Sequence, residues 1–129
     1  MAHPIQLILA RQLAAHLRIP VFLVDPGGSL LFYNEPAEDI LGLRFEETGE
    51  MTAAEWSSAF DPVDDQGQQV APGDLPLMIT LAKQRPAHKR FHIRGMNGVI
   101  RHIEVTAIPF IGLRGRFLGA AALFWELQS

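Results

Sequence analysis

Histidine is the residue type in this chain best suited to chemistry, and three of its five copies fall in two neighbouring segments, AHKRFHIR and IRHIEVTA. Alternation places His88, Arg90, His92 and Arg94 on one side of the first segment, and His102, Glu104 and Thr106 on one side of the second. If Phe91 and Ile103 are neighbours on the opposite, apolar side, His92 lies beside His102 and Arg90 beside Glu104; a slip of one residue undoes both pairs. Two neighbouring strand histidines supply only part of a zinc shell, with Glu104 needed as a further ligand. The same alternation is that of a solvated sheet face, which accounts for these residues without an ion, so no metal site is assigned.

Other chemistry-bearing residues lack the partners that catalysis needs. Ser57 and Ser58 sit outside any Gly-x-Ser-x-Gly elbow, and Gly27-Gly28 is followed by no Lys-Ser or Lys-Thr of a phosphate loop. Asp61, Asp64 and Asp65 lack the alternate-residue spacing and distal Glu of a calcium-binding EF-hand loop and read as a turn-forming loop. Cysteine is absent, which removes disulfides, thiolate nucleophiles, Cys-ligated zinc and iron–sulfur clusters together. No catalytic residue is assigned, and the chain is not expected to be an enzyme.

These residues need elements to position them, and the 129-residue chain has the size of one domain. Hydrophobic residues make up 48%, charged ones 19%, and the formal net charge is -3, a globular balance with no basic excess to attract nucleic acid. The apolar start of the chain is interrupted by Arg11 and Gln12 before it is long enough for a signal peptide or a membrane span. The expectation is therefore a cytoplasmic protein with no membrane partner, either whole or part of a longer signalling chain.

Along the chain, Ile5, Leu9, Leu13 and Leu17 recur every four positions between Pro4 and Pro20, predicting a helix over Ile5 to Arg18. Leu7, Ala10 and Ala14 widen its apolar arc past half the circumference, so it is expected to touch both its own domain and a partner. Val21 to Val24 and Leu30 to Tyr33 read as strands joined by the turn Asp25-Pro26-Gly27-Gly28. Asn34 is placed to cap a helix with Glu35, Pro36, Glu38 and Asp39 in its first turns, and Gly42 to end it. Thr52 and Glu55 match a capping box, Asp61 to Gly73 reads as a loop, and Asp74 is expected to cap an apolar helix ending at Arg85-Pro86. Three strands follow: Ala87 to Arg94, Val99 to Ile108, and Phe117 to Trp125, the last apolar on both faces and so covered on both.

The opening segment VFLVDPGGSLLFYNEPAEDILG resembles the entry to the PAS sensory domain. DPVDDQGQQVAPGDLP resembles the Asp-and-Gly turn before a Pro-containing helix in that family, while GVIRHIEVTAIPF and GRFLGAAALFWE resemble its last two strands. Each piece is a weak motif, but together they run in the right order from about Ile19 to Leu127. The resemblance implies an α+β fold, a five-stranded antiparallel sheet with helices on one face, occupying 19–127, and an N-terminal helix in 1–18 covering the other face.

The resemblance also implies a non-catalytic sensory module that dimerises and binds a small apolar or heterocyclic ligand between sheet and helices. By the alternation above, Phe60, Leu77, Met78, Leu81, Phe91, Ile93, Ile103 and Val105 face that interior, where they would fill a packed core or line a cavity. Ile5, Leu9, Leu13 and Leu17 of the helix and Phe124 of the last strand are the expected homodimer surface. The cofactor is left open: covalent flavin and chromophore adducts in the family need a Cys, and haem-binding members place a His on the helix corresponding to Asp74 to Gln84, which has none. His88 just beyond that helix keeps haem disfavoured rather than excluded. The alternative readings are a pure dimerisation domain without ligand, or the sensory fragment of a kinase, cyclase or transcription regulator, whose output protein would be the partner.

Overall fold

Asp25 organises the first hairpin by accepting the backbone N–H groups of Gly27 at 3.0 Å and Ser29 at 2.9 Å through Oδ1. In the computed structural model, which describes residues 5–127, β1 (Val21–Val24) and β2 (Leu30–Tyr33) pair antiparallel across this turn. Gly28 has φ +89°, and a Cβ there would stand 3.1 Å from Ala53 and 3.2 Å from Leu81, so the turn can press against two helices only without a side chain. Asn34 caps α2 (Glu35–Leu41), accepting the Ala37 N–H at 3.2 Å, and Gly42 closes it in the left-handed conformation. After the short α3 (Phe45–Thr48), Thr52 and Glu55 form the expected capping box at the start of α4 (Ala53–Ala59).

The next helix departs from expectation. Asp74 lies in a 3₁₀ turn (Pro72–Asp74) and caps nothing with its side chain; α5 is Pro76–Lys83, with Leu75 at its N-cap. Pro76 is the cause: its ring forces the preceding residue out of the helical region, and Leu75 accordingly has φ -70° and ψ 139°.

Strands β3 (Ala87–Arg94), β4 (Ile100–Ile111) and β5 (Phe117–Glu126) complete one five-stranded antiparallel sheet in the order β2-β1-β5-β4-β3. β4 continues beyond the predicted end at Ile108 because β5 supplies ladder partners for it as far as Ile111. The β3–β4 register is the one the alternation predicts, with Phe91 opposite Ile103, His92 opposite His102 and Arg90 opposite Glu104.

The sheet separates two apolar clusters. The larger lies between the sheet and α2 to α5 and includes Phe22, Tyr33, Trp56, Leu77, Phe91, Ile103 and Phe124. The smaller lies on the other face, where α1 (Ile5–His16) sets Leu7 and Ala14 against Val21, Leu23, Leu31 and Ala121. Gly119 permits this approach: a Cβ there would meet Leu7 at 3.2 Å and the Val24 carbonyl oxygen at 2.5 Å. Residues 1–4 of the predicted 1–18 segment, Pro4 among them, lie outside the described residues.

Helix α1 does not use the stripe predicted for it. Its inner side is Leu7, Ala10 and Ala14, with Leu17 following at helical spacing, while Ile5, Leu9 and Leu13 are exposed. A repeat of four overshoots the helical period, so the predicted stripe winds around the helix and reaches the inner side only at Leu17. Phe124 also differs from expectation: it is buried in the larger cluster on the helix side, and its neighbours Leu123 and Trp125 point to the outer face. Alternation along a strand that is apolar on both faces does not reveal which set faces which side.

Candidate functional site

A cavity of about 90 Å³ lies inside the larger cluster, between the sheet and the α4–α5 side. Of the predicted residues, Phe60, Leu77, Phe91, Ile93, Ile103 and Val105 line it. Met78 and Leu81 do not; they pack half-buried against the same core from the flank of α5. Periodicity on a helix of eight residues marks an apolar side but not which part of that side meets open space. Phe22, Leu41, Trp56, Ser57, Pro62, Leu75, Pro76 and Ala122, which sequence reading did not place in the site, complete the wall together with Phe124, which it placed on the dimer surface.

The chemistry of this wall is apolar. Trp56 directs its indole N–H away from the cavity, donating to the Gly28 carbonyl at 2.6 Å, so the hairpin turn holds the ring in place. Phe22 stacks parallel to Tyr33 at 5.9 Å and meets Trp56 edge-on at 5.5 Å, which fixes the aromatic end. Ser57 is the one side chain in the lining with a hydroxyl, and it points back to the Ala54 carbonyl at 3.4 Å. No lining residue is a Cys, a His or a charged group. His88 stands on the outer face of β3, its Nδ1 2.9 Å from the Thr106 hydroxyl, and so does not reach the cavity as a haem ligand.

The volume sets what can enter. An engineered apolar cavity of about 150 Å³ binds benzene. At about 90 Å³ this one has room, as it stands, only for something smaller. A heterocycle requires α4, α5 or the connection between them to move outward. That connection is the 61–70 loop, which folds on itself through Val70 N–H to Pro62 O at 2.9 Å and joins the free edge of β3 through Val63 and His92, bonded at 2.8 and 2.7 Å.

The outer face of the β3–β4 half is polar and ordered. Arg90 donates to Glu104 at 3.0 Å, and the imidazoles of His92 and His102 stack with centroids 4.2 Å apart. Beside this polar area, α1 presents Ile5, Ile8, Leu9 and Leu13, each roughly half or more exposed. On the opposite side of the sheet, the one Ile93 and Ile103 face, Arg101 and Glu126 pair at 2.7 Å near the strand ends.

The PAS-fold family model matches residues 14–129. The chain belongs to the PAS-fold family. Solved PAS domains share the architecture: that of BvgS from Bordetella pertussis is 17% identical with a TM-score of 0.65, covering 96% of this chain and 87% of that one. The PAS domain of nitrogen regulation protein NR(II) from Vibrio parahaemolyticus is 15% identical with a TM-score of 0.62, over 92% and 98% of the two chains. That of the fruit-fly ELK potassium channel is 8% identical with a TM-score of 0.73, over 95% and 98%. No curated protein matches the chain in sequence. PAS domains are generally non-catalytic sensory modules. No helix among the described residues is long and apolar enough to cross a membrane.

Proposed function

We propose that this PAS domain is a non-catalytic cytoplasmic sensor that takes a small apolar ligand between sheet and helices and dimerises through α1 and the neighbouring sheet face. The apolar cavity carries the first part: its wall is almost free of hydrogen-bonding groups, so recognition there is by shape and by exclusion of water. Such a ligand would press on Trp56 and on Pro62 and Leu75 at the two ends of the connection before α5. Native mass spectrometry of freshly purified protein, with a thermal-shift series of small aromatic and aliphatic compounds, tests this reading. A retained mass or a rise in the unfolding midpoint is expected; neither, across the series, leaves an interaction domain without ligand.

The exposed Ile5, Leu9 and Leu13 support the dimer, because they continue the covered side of α1 into an apolar surface. Of the residues first assigned there, Leu17 and Phe124 contribute to the domain's own packing instead. Sedimentation of the intact chain beside one lacking residues 1–18 is expected to show a dimer and a monomer. Two soluble monomers would remove dimerisation from the proposal, and the output protein that receives the signal would then dock directly.

A further inference from the structure

We propose that Asp65, His92 and His102 form a divalent-cation site of zinc type on the outer face of the sheet, where the cation ties the 61–70 loop to β3 and β4. The ligand set comes from three places in the chain. Antiparallel pairing puts His92 of β3 directly opposite His102 of β4 with the rings stacked. The backbone bridge between Val63 and His92 brings the loop alongside, and the Asp64 side chain folds the loop by accepting the N–H groups of Gln66 and Gln68, both at 2.9 Å. Asp65 is thereby carried over the imidazole pair, with its Oδ1 3.2 Å from His102 Nε2 and 4.0 Å from His92 Nδ1.

These distances suit a shared cation. One donor atom from each residue lies within 4.8 Å of the other two. Ligands of a tetrahedral zinc ion at their usual bond lengths sit about 3.3 Å apart. The closest pair is therefore already at that separation, and a small ring rotation brings in the third. His102 Nε2 is enclosed and makes no hydrogen bond, because Asp65 Oδ1 is near it but out of line for one. A nitrogen lone pair directed at a cation accounts for both the enclosure and the misalignment. Glu104, the further ligand that sequence spacing suggests, is held by Arg90 at 3.0 Å. Asp65 takes that role from a loop whose path periodicity does not describe. A recess bounded by Asp61, Asp64, Asp65 and His92 adjoins two of the three ligands.

A cation here would act on the cavity through a short covalent path. Pro62 lines the cavity and Val70 is buried in the core beneath it, so anchoring Asp65 restrains the loop that would shift to admit a larger ligand. Occupancy of the outer face and of the interior are then coupled through one loop.

Equilibrium dialysis of the untagged chain against zinc chloride tests the site, with cobalt(II) as a spectroscopic probe. One zinc per chain is expected, together with the visible absorption of a tetrahedral cobalt complex. Binding should weaken by at least about tenfold in Asp65→Asn and be lost in the His92→Gln/His102→Gln double variant. His88→Gln, on the same sheet face but bonded to Thr106, should bind as the parent does. Circular dichroism without metal should match for all variants, since the three ligand side chains lie outside the apolar clusters. Absence of stoichiometric zinc in the parent would overturn the proposal, as would undiminished binding in the double variant.

Discussion

The Asn34 side chain receives the backbone N–H of Val21 at 2.9 Å, and that contact makes a helix cap into the junction of three elements. The same Oδ1 accepts the Ala37 N–H at the start of α2, while Nδ2 donates to the carbonyls of Ala14 and Ile19, each at 2.9 Å, where α1 ends and the chain enters β1. The residue is 1% exposed, so each of these bonds replaces water that cannot reach it.

Replacing Asn34 should therefore cost more than a surface cap does. Asn34→Asp keeps the acceptor for Ala37 but turns a carboxylate toward two carbonyls, and Asn34→Ala removes both ends. A loss of about 3 kcal/mol is expected in each case from urea unfolding. Hydrogen exchange should quicken in α1 before it does in β4. A loss below about 1 kcal/mol would show that the junction is not held by this side chain.

The two sides of α1 should respond oppositely to substitution. Leu7 is 2% exposed beneath the helix, and Leu7→Ala should lower stability by about 3 kcal/mol. Leu13 is 63% exposed, and Leu13→Glu should change stability by less than about 0.5 kcal/mol. If the proposed dimer forms, Leu13→Glu should nevertheless shift the sedimentation coefficient toward the monomer, whereas an unchanged dimer would place the interface elsewhere.

Tyr33 predicts an alkaline limit to stability. Burial is the main cause that raises its phenol above the ordinary value of 10.0; the Thr48 hydroxyl opposes the shift, and Glu38 and Glu47 add to it. Its hydroxyl donates to the Leu43 carbonyl at 2.7 Å. Because folding favours the neutral phenol, this contribution is complete below the unfolded value and is lost as the pH rises through the folded one. Unfolding midpoints should show no pH dependence from Tyr33 between pH 6 and about 9, where its contribution is fully present, and a fall above about 10. In Tyr33→Phe that alkaline fall should be smaller.

Much of this architecture is legible in the sequence because it is local. Asp25 and Gly28 define the hairpin, Asn34 and Gly42 bound α2, Thr52 and Glu55 start α4, and strict alternation sets His92 beside His102. Where local signals conflict or vanish, reading stops. Asp74 is a good capping residue, but Pro76 dictates the backbone of Leu75 and so moves the cap. Phe124 sits in a strand with apolar residues on both sides, and only the packed sheet shows which side holds the cavity. Asp65 reaches the histidines through the Val63–His92 bridge, a long-range contact that no periodicity encodes.

The cavity gives the proposed ligand its most direct test, because one tryptophan lines it and the other lies outside. Trp56 is 6% exposed in the wall and Trp125 is 41% exposed on the outer face, so Trp125→Phe leaves a single fluorophore in contact with any occupant. A compound that enters should shift or quench that emission, with saturation at the concentration that raises the unfolding midpoint. Ala122→Leu projects three more carbons from β5 into the same space; with a volume of only about 90 Å³, it should abolish the fluorescence response. The accompanying change in stability reveals the state of the interior. A rise means that the new side chain fills open space, while a fall of about 1–3 kcal/mol means that the wall is already closed around it. A response that persists in Ala122→Leu would place the ligand elsewhere and return Trp56 to a purely structural role.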